Sequence, residues 1–241
     1  VGVCCVHMGA NLFDDFIDVK LKLKQGFELK DIRFESFLPK ARLIINSTYS
    51  FSQVERILNI LFSIALGIGV CFTVISGWKV LIFAALGGIL SLFYPISSRY
   101  YCSEIIIGLI FGPLVIMGGF YALTGEFNSN LLILSVVIFF TTLVLLHTHN
   151  IMDWEFDIKE NKNTLCILSG SKQNAIRILI GFMTISYSII LISVLLARLN
   201  PNTLYVFLTL PIGAKLIESI NDYVNIKDIK FIPRWYYGFF E

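Results

Sequence analysis

Residues 127–157 read FNSNLLILSVVIFFTTLVLLHTHNIMDWEFD. The first 26 of these positions hold no Asp, Glu, Lys or Arg, and the last five hold three carboxylates, Asp153, Glu155 and Asp157. A helix rising about 1.5 Å per residue crosses the hydrocarbon core of a bilayer in about 20 apolar residues, so 127–152 predicts a transmembrane helix. The abrupt return of charge predicts where that helix leaves the membrane.

The same pattern extends in both directions. Uncharged apolar blocks also occupy 57–78, 80–98, 105–125, 178–197 and 199–214. The last is a little short, and Lys215 can snorkel at its end. The chain is 56% hydrophobic and 15% charged, with a mean hydropathy of +0.76. A soluble domain would carry about a quarter charged residues, and its helices would show polar faces at the helical period. These blocks are apolar on all sides. A partial seventh span at 1–13 starts in mid-segment without Met. The expectation is an all-α, polytopic transmembrane helical bundle forming one domain over 1–241, in a fragment that lacks an N-terminal and a C-terminal helix.

Charge placement tests the span assignment. If the chain changes sides at every span, residues 14–56, 99–104, 153–177 and 215–241 share one side and hold 17 of the 19 Lys and Arg. Only Lys79 and Arg198 fall opposite. The positive-inside rule makes the loaded side cytoplasmic. The net charge of +2 says little about partners, and no nucleic-acid partner is expected. Cys4, Cys5, Cys71, Cys102 and Cys166 show no metal-like spacing and read as small packing residues. No signal-peptide pattern is present.

Two acidic clusters stand on the loaded side. The first is Asn11-Leu-Phe-Asp14-Asp15-Phe-Ile-Asp18. On a helix Asn11, Asp15 and Asp18 share a face, and Asp14 and Asp18 also stack at i, i+4. The second is Asn150-Ile-Met-Asp153-Trp-Glu-Phe-Asp157, with Asp153 and Asp157 again at i, i+4. Like charges at that spacing repel, and proximity to the membrane adds desolvation. A compensating cation is therefore expected. Hard oxygen donors suit Mg²⁺, which takes one or two carboxylates together with substrate phosphates. The plainer reading, solvated helix ends, explains one such cluster well. Two on one side, each preceded by an Asn, are harder to explain that way. Lys20, Lys22 and Lys24 follow the first cluster, and Lys159 and Lys162 the second. Such lysines anchor to anionic lipid, and Lys20 or Lys162 would also neutralise a diphosphate leaving group.

With these residues in view, the chain resembles the UbiA superfamily of intramembrane aromatic prenyltransferases. Asn11, Asp15 and Asp18 match its Asn-x-x-x-Asp-x-x-(x)-Asp motif, and Asp153 and Asp157 its Asp-x-x-x-Asp motif. The gap between Asp15 and Asp18, Tyr94-Pro95, Glu104, Phe111-Gly112-Pro113 and Lys162-Asn-Thr164-Leu resemble the 1,4-dihydroxy-2-naphthoate branch, which serves menaquinone biosynthesis. The resemblance covers essentially the whole chain and implies about seven helices of a nine-helix fold. Two departures bear on the acceptor: Met152 stands where the family usually has Arg, and Leu21–Gln25 replaces a Gly-x-Asp.

The resemblance implies an enzyme that transfers a prenyl group from a polyprenyl diphosphate to an aromatic acceptor by Mg²⁺-assisted ionisation and electrophilic aromatic substitution. It implies metal ligation by Asn11, Asp15, Asp18, Asp153 and Asp157, with Asn150 helping to bind the metal–diphosphate. Asp14 is a further candidate, because register does not choose between it and Asp15. Arg99 and Tyr100, with Tyr94 and Tyr101, gather at a cytoplasmic helix end and could contact substrate, although an interfacial aromatic belt explains tyrosines there equally well. His147 and His149 point to different helix faces and read as satisfied helix-end residues. Gly67, Gly69, Gly87, Gly88, Gly118 and Gly119 most simply permit close helix packing, or leave room for a lipid tail. A transporter would place ionisable residues near the midplane, and these spans hold almost none. Sibling prenyltransferases acting on 4-hydroxybenzoate, homogentisate, a glycerophosphate lipid or haem are the nearest alternatives. The composition suggests an AT-rich bacterial genome, and hence a cytoplasmic membrane with the site facing the cytoplasm.

Overall fold

The computed structural model describes residues 1–32 and 41–226, which are helical with short connections. Arg33, Lys40, Lys227, Lys230 and Arg234, which entered the charge count, lie outside the described residues. In chain order the α-helices are α1 (Gly2–Lys24), α2 (Arg42–Ile45), α3 (Phe51–Ser76), α4 (Lys79–Ser97), α5 (Ser103–Leu109), α6 (Val115–Thr124), α7 (Ser129–Met152), α8 (Trp154–Lys159), α9 (Leu165–Leu168), α10 (Lys172–Leu195) and α11 (Leu210–Ile226). A π-helical turn, Ile110–Leu114, joins α5 to α6 in one span, and a 3-10 segment, Pro201–Thr209, leads into α11.

Local chemistry sets the helix ends. Ser50 and Gln53 form a reciprocal capping box at α3, and Asn128 and Ser171 cap α7 and α10. The backbone turns left-handed at Gly77 and Gly125, where α3 and α6 stop. Pro113 lacks a backbone N–H, so the regular ladder is interrupted and the helix widens there.

Among the described residues six helices are long and apolar enough to cross a membrane. Their apolar side chains turn outward: Val74, Leu123 and Leu195 are more than 70% exposed. In water that surface would drive aggregation, whereas acyl chains match it. The spans agree with the sequence reading at every block, with two adjustments. Helix α1, which holds the partial span read at 1–13, continues past the first acidic cluster to Lys24 and is not among those six. The last span runs Pro201–Asn225, so Lys215 lies within it rather than at its end.

Helix α1 packs on α3 and α4, while α7 packs along α10 on one side and along α5 and the π-turn on the other. Phe16 and Val19 of α1 are buried with Ile32, Ala41, Ile44, Val54 and Leu58. The segment after α1 therefore folds back on the helix that carries the first cluster.

The glycines divide differently from expectation. A Cβ at Gly67, Gly87, Gly88 or Gly119 would meet nothing within 4 Å, and one at Gly69 only ordinary contact with Ala84. Of that group Gly118 alone is tightly packed, against Phe83. The closest approach to a neighbouring backbone lies at Gly112, which with Gly108 forms a Gly-x-x-x-Gly pair on the α5 span. A Cβ on Gly112 would stand 2.7 Å from the Ser135 carbonyl oxygen of α7, and one on Gly108 would stand 2.8 Å from Phe139. Backbone cannot yield as a flexible side chain can, so α5 and α7 meet only because these positions lack side chains. Gly112→Val is expected to lower thermal stability in detergent by at least about 2 kcal/mol, whereas Gly87→Ala should change it by no more than about 1 kcal/mol and in the stabilising direction. Equal melting midpoints for the two variants would contradict this packing.

Candidate functional site

The first cluster lies on a single helix, as its spacing requires. Asn11 is exposed, while Asp14, Asp15 and Asp18 are half-buried. Asp15 accepts a hydrogen bond from the backbone N–H of Ala41 at 3.0 Å. Ala41 adopts a left-handed backbone (φ 54°), so the carboxylate holds a turn of the returning segment against α1. Lys20 pairs with Glu55 at 3.2 Å and lies over the Phe16 ring. His7 stands one turn before Asn11, 3.5 Å from its amide nitrogen, with its ring edge-on to Phe111 of the π-turn.

The second cluster is buried. Asp153 closes α7 and begins α8, and it is 6% exposed; Asp157 in α8 is 3% exposed. His149 Nε2 lies 3.1 Å from Asp153 Oδ2. The Thr164 hydroxyl donates to Asp157 Oδ2 at 3.4 Å, and the Lys162 backbone N–H donates to the Asp157 carbonyl at 2.8 Å. The Lys162 ammonium lies over the Phe156 ring, 5.0 Å from its centroid. Burial pushes the Asp157 carboxyl up to about 6, against the pull of Lys162 and with Asp153 and Glu104 adding like charge.

Sequence reasoning named Glu104 but missed that it joins these parts. Glu104, at the start of the α5 span, is 1% exposed. One of its oxygens accepts the Asn150 side-chain amide at 2.7 Å. The other accepts the Ser103 hydroxyl at 3.0 Å and the Leu165 backbone N–H at 3.3 Å. His147 Nδ1 lies 3.7 Å from the first oxygen. Glu104 had entered only as one of the residues that carry the family resemblance, with no role of its own. The available signal was an acid at the end of an apolar span with a polar Ser103 beside it, where a charge must face protein or water rather than lipid.

The two clusters open on the same end of the bundle. Lys22, one turn beyond Asp18, pairs with Glu160, three residues beyond Asp157, at 2.7 Å, and both are largely buried. The backbone from Ser98 to Tyr101 is hydrogen-bonded to Asn163, next to Lys162. Arg99 and Tyr100 thus reach this end through their backbone. Their side chains are exposed, and Tyr100 stacks on Phe93 of α4. At the opposite end Lys79 lies over Tyr121 and Phe127. Among the described residues no three His, Cys, Asp or Glu side chains converge as one metal-sized group. Each cluster offers two or three carboxylates and an amide, the hard-oxygen set that suits Mg²⁺ when phosphate oxygens complete the shell.

Helices, clusters and the intervening motifs fit one known family: the model of the UbiA prenyltransferase family matches residues 1–236. This chain belongs to that family. Among similar UbiA relatives, the 1,4-dihydroxy-2-naphthoate octaprenyltransferase of Bacillus subtilis (strain 168) is 25% identical over 168 residues, covering 68% of this chain and 53% of that protein. The 2-carboxy-1,4-naphthoquinone phytyltransferase of Synechocystis sp. (strain ATCC 27184 / PCC 6803 / Kazusa) is 27% identical over 133 residues, covering 54% and 43%. The chain spans about half the length of these curated relatives. No solved structure matches it.

The raised value of Asp157 has a stability consequence for this UbiA member. The folded state keeps a proton that the unfolded chain releases near 3.8, so stability falls as pH rises from about 4 to about 6. Asp157→Asn removes that penalty. With chelator present, it should stabilise the protein at pH 7.5 by roughly 2–3 kcal/mol and by little at pH 4. Melting curves in detergent at the two pH values test this; destabilisation at pH 7.5 would contradict a charge held at a cost.

Proposed function

We propose that this protein transfers a polyprenyl group from a polyprenyl diphosphate to 1,4-dihydroxy-2-naphthoate. The observation that carries the reading is the pairing of Lys22 with Glu160, which brings the residues just beyond the two acidic clusters to one mouth at one end of a membrane bundle. Family membership supports prenyl transfer. The acceptor rests on the names of the two relatives, both of which contain naphthalene-ring compounds.

Asn11, Asp15 and Asp18 from α1 and Asp153 and Asp157 at the start of and within α8 would supply the oxygen ligands for Mg²⁺, with Asn150 helping to bind the metal–diphosphate and Asp14 beside them. Bound there, Mg²⁺ supplies charge neutralisation for the departing diphosphate. Lys162 and Lys20 flank the clusters and add positive charge for that leaving group. The bond between the allylic carbon and the diphosphate oxygen breaks, and the electron pair leaves with the oxygen. The acceptor ring forms the new carbon–carbon bond to the allylic cation, and loss of a ring proton restores aromaticity. Apolar spans around the mouth accept the prenyl tail and keep water from the cation. The site faces the cytoplasm of a bacterial cell, since the Lys and Arg load lies on that side.

Membranes or detergent-purified protein, supplied with Mg²⁺, a polyprenyl diphosphate and 1,4-dihydroxy-2-naphthoate, should form prenylated product. EDTA should abolish it, and Asp15→Ala and Asp153→Ala should each reduce turnover by about a thousandfold or more. Turnover with 4-hydroxybenzoate or homogentisate instead keeps the reaction and replaces the acceptor. Aspartate variants as active as wild type would overturn the site.

A further inference from the structure

An ionised or ionisable side chain buried against lipid-spanning helices carries a desolvation cost that a purely structural role rarely justifies. Glu104 is such a group, and no step of the proposed reaction uses it. Its partners are unusual in their reach: Ser103 is its neighbour, but Asn150 and His147 lie on α7 and Leu165 opens α9. Three segments that flank the second acidic cluster meet at one carboxylate.

The hydrogen-bond chemistry fixes an orientation. A carboxylate only accepts hydrogen bonds, so the Asn150 group at 2.7 Å from it must be the amide nitrogen, because the carbonyl oxygen there would meet an oxygen. With one N–H of its nitrogen held on Glu104, Asn150 turns its carbonyl oxygen away from that carboxylate, and this is the acceptor it can offer a ligand. Asn150 stands at i, i+3 from Asp153, so that oxygen belongs to the same side of the helix as the carboxylate. His147 supports the arrangement from behind. It is fully buried, and its Nε2 lies 3.1 Å from the Ala175 carbonyl, which requires the proton on that nitrogen and pins the ring against α10. The second oxygen of Glu104 meanwhile anchors the Leu165 N–H, next to the Thr164 hydroxyl that holds Asp157.

We infer that Glu104 is a positioning residue, which turns the carbonyl oxygen of Asn150 toward the second acidic cluster and thereby sets that cluster's affinity for a divalent cation. The inference rests on the metal–diphosphate reading of the clusters. It also assigns Asn150 to the cation rather than to the diphosphate oxygens, since an amide presenting its oxygen repels phosphate.

Mn²⁺ binding, followed by electron paramagnetic resonance of the detergent-purified chain with inorganic pyrophosphate, tests this without relying on turnover. Glu104→Gln should weaken Mn²⁺ about tenfold, and Asn150→Ala by a similar factor. In the Asn150→Ala background Glu104→Gln should then change affinity by no more than about twofold, since the first acts through the second. Melting midpoints measured in parallel with EDTA should not track the metal effects across the variants; a loss of Mn²⁺ affinity that simply scales with the loss in midpoint would overturn the positioning role. Multiplying metal effects, or an unaltered Mn²⁺ affinity in Glu104→Gln, would overturn the inference. Where Glu104→Gln does not fold alone, the exchanged pair E104Q/N150D restores a donor facing an acceptor and should bind Mn²⁺ at least as well as Asn150→Ala; weaker binding contradicts the role. If the wild-type chain itself fails to bind Mn²⁺ with pyrophosphate, the metal–diphosphate reading falls with it. If wild type binds and only the variants disagree, the positioning role alone falls.

Discussion

Hydrocarbon tolerates neither free backbone polar groups nor unpaired charge, and that constraint arranges everything else in this molecule. The spans answer it by being helical and apolar on all sides. The chemistry answers it by retreating to the helix ends, where carboxylates can meet water, protein or a cation. Glu104, Asp153 and Asp157 lie just inside that limit. They are buried by protein rather than by lipid, and neighbouring N–H, hydroxyl and imidazole groups surround them.

Burial of the second cluster is costly without a counter-charge, and the cost is informative. Like-charged carboxylates one helical turn apart lose stability to each other and to desolvation. A fold that retains them has a reason other than its own stability, and a cation that accompanies an anionic substrate supplies one. The first cluster differs. It is half-exposed on α1, and Asp15 is already engaged by the Ala41 N–H. The contrast suggests a division in which one cluster is rigid and preorganised while the other borders a segment that folds back upon it.

Much of this was legible in the sequence. The uncharged blocks gave the spans because a bilayer leaves no alternative to long apolar helices. The spacing of Asn11, Asp15 and Asp18 placed them on one helix face, since i, i+4 and i+7 admit no other reading. What was hidden depends on packing between helices. Gly112 and Gly67 look alike in sequence, yet one lies against the Ser135 carbonyl and the other against nothing. Which glycine is needed follows from where α5 crosses α7, and no single helix encodes that. Glu104 was hidden for the same reason, because its partners are 46 and 61 residues away. Where α1 ends, at Lys24, was also hidden, since charge alone does not end a helix that has left the membrane.

The central claim is that clusters from α1 and from α7–α8 hold one metal–diphosphate centre between them. Fe²⁺ substituted for Mg²⁺ in the presence of pyrophosphate reacts with added hydrogen peroxide, ascorbate regenerating the Fe²⁺, to give hydroxyl radicals that cut the backbone beside the bound ion. The account predicts cuts within both 11–18 and 150–157, both suppressed by excess Mg²⁺. Cleavage at one cluster alone, or at neither, would contradict it.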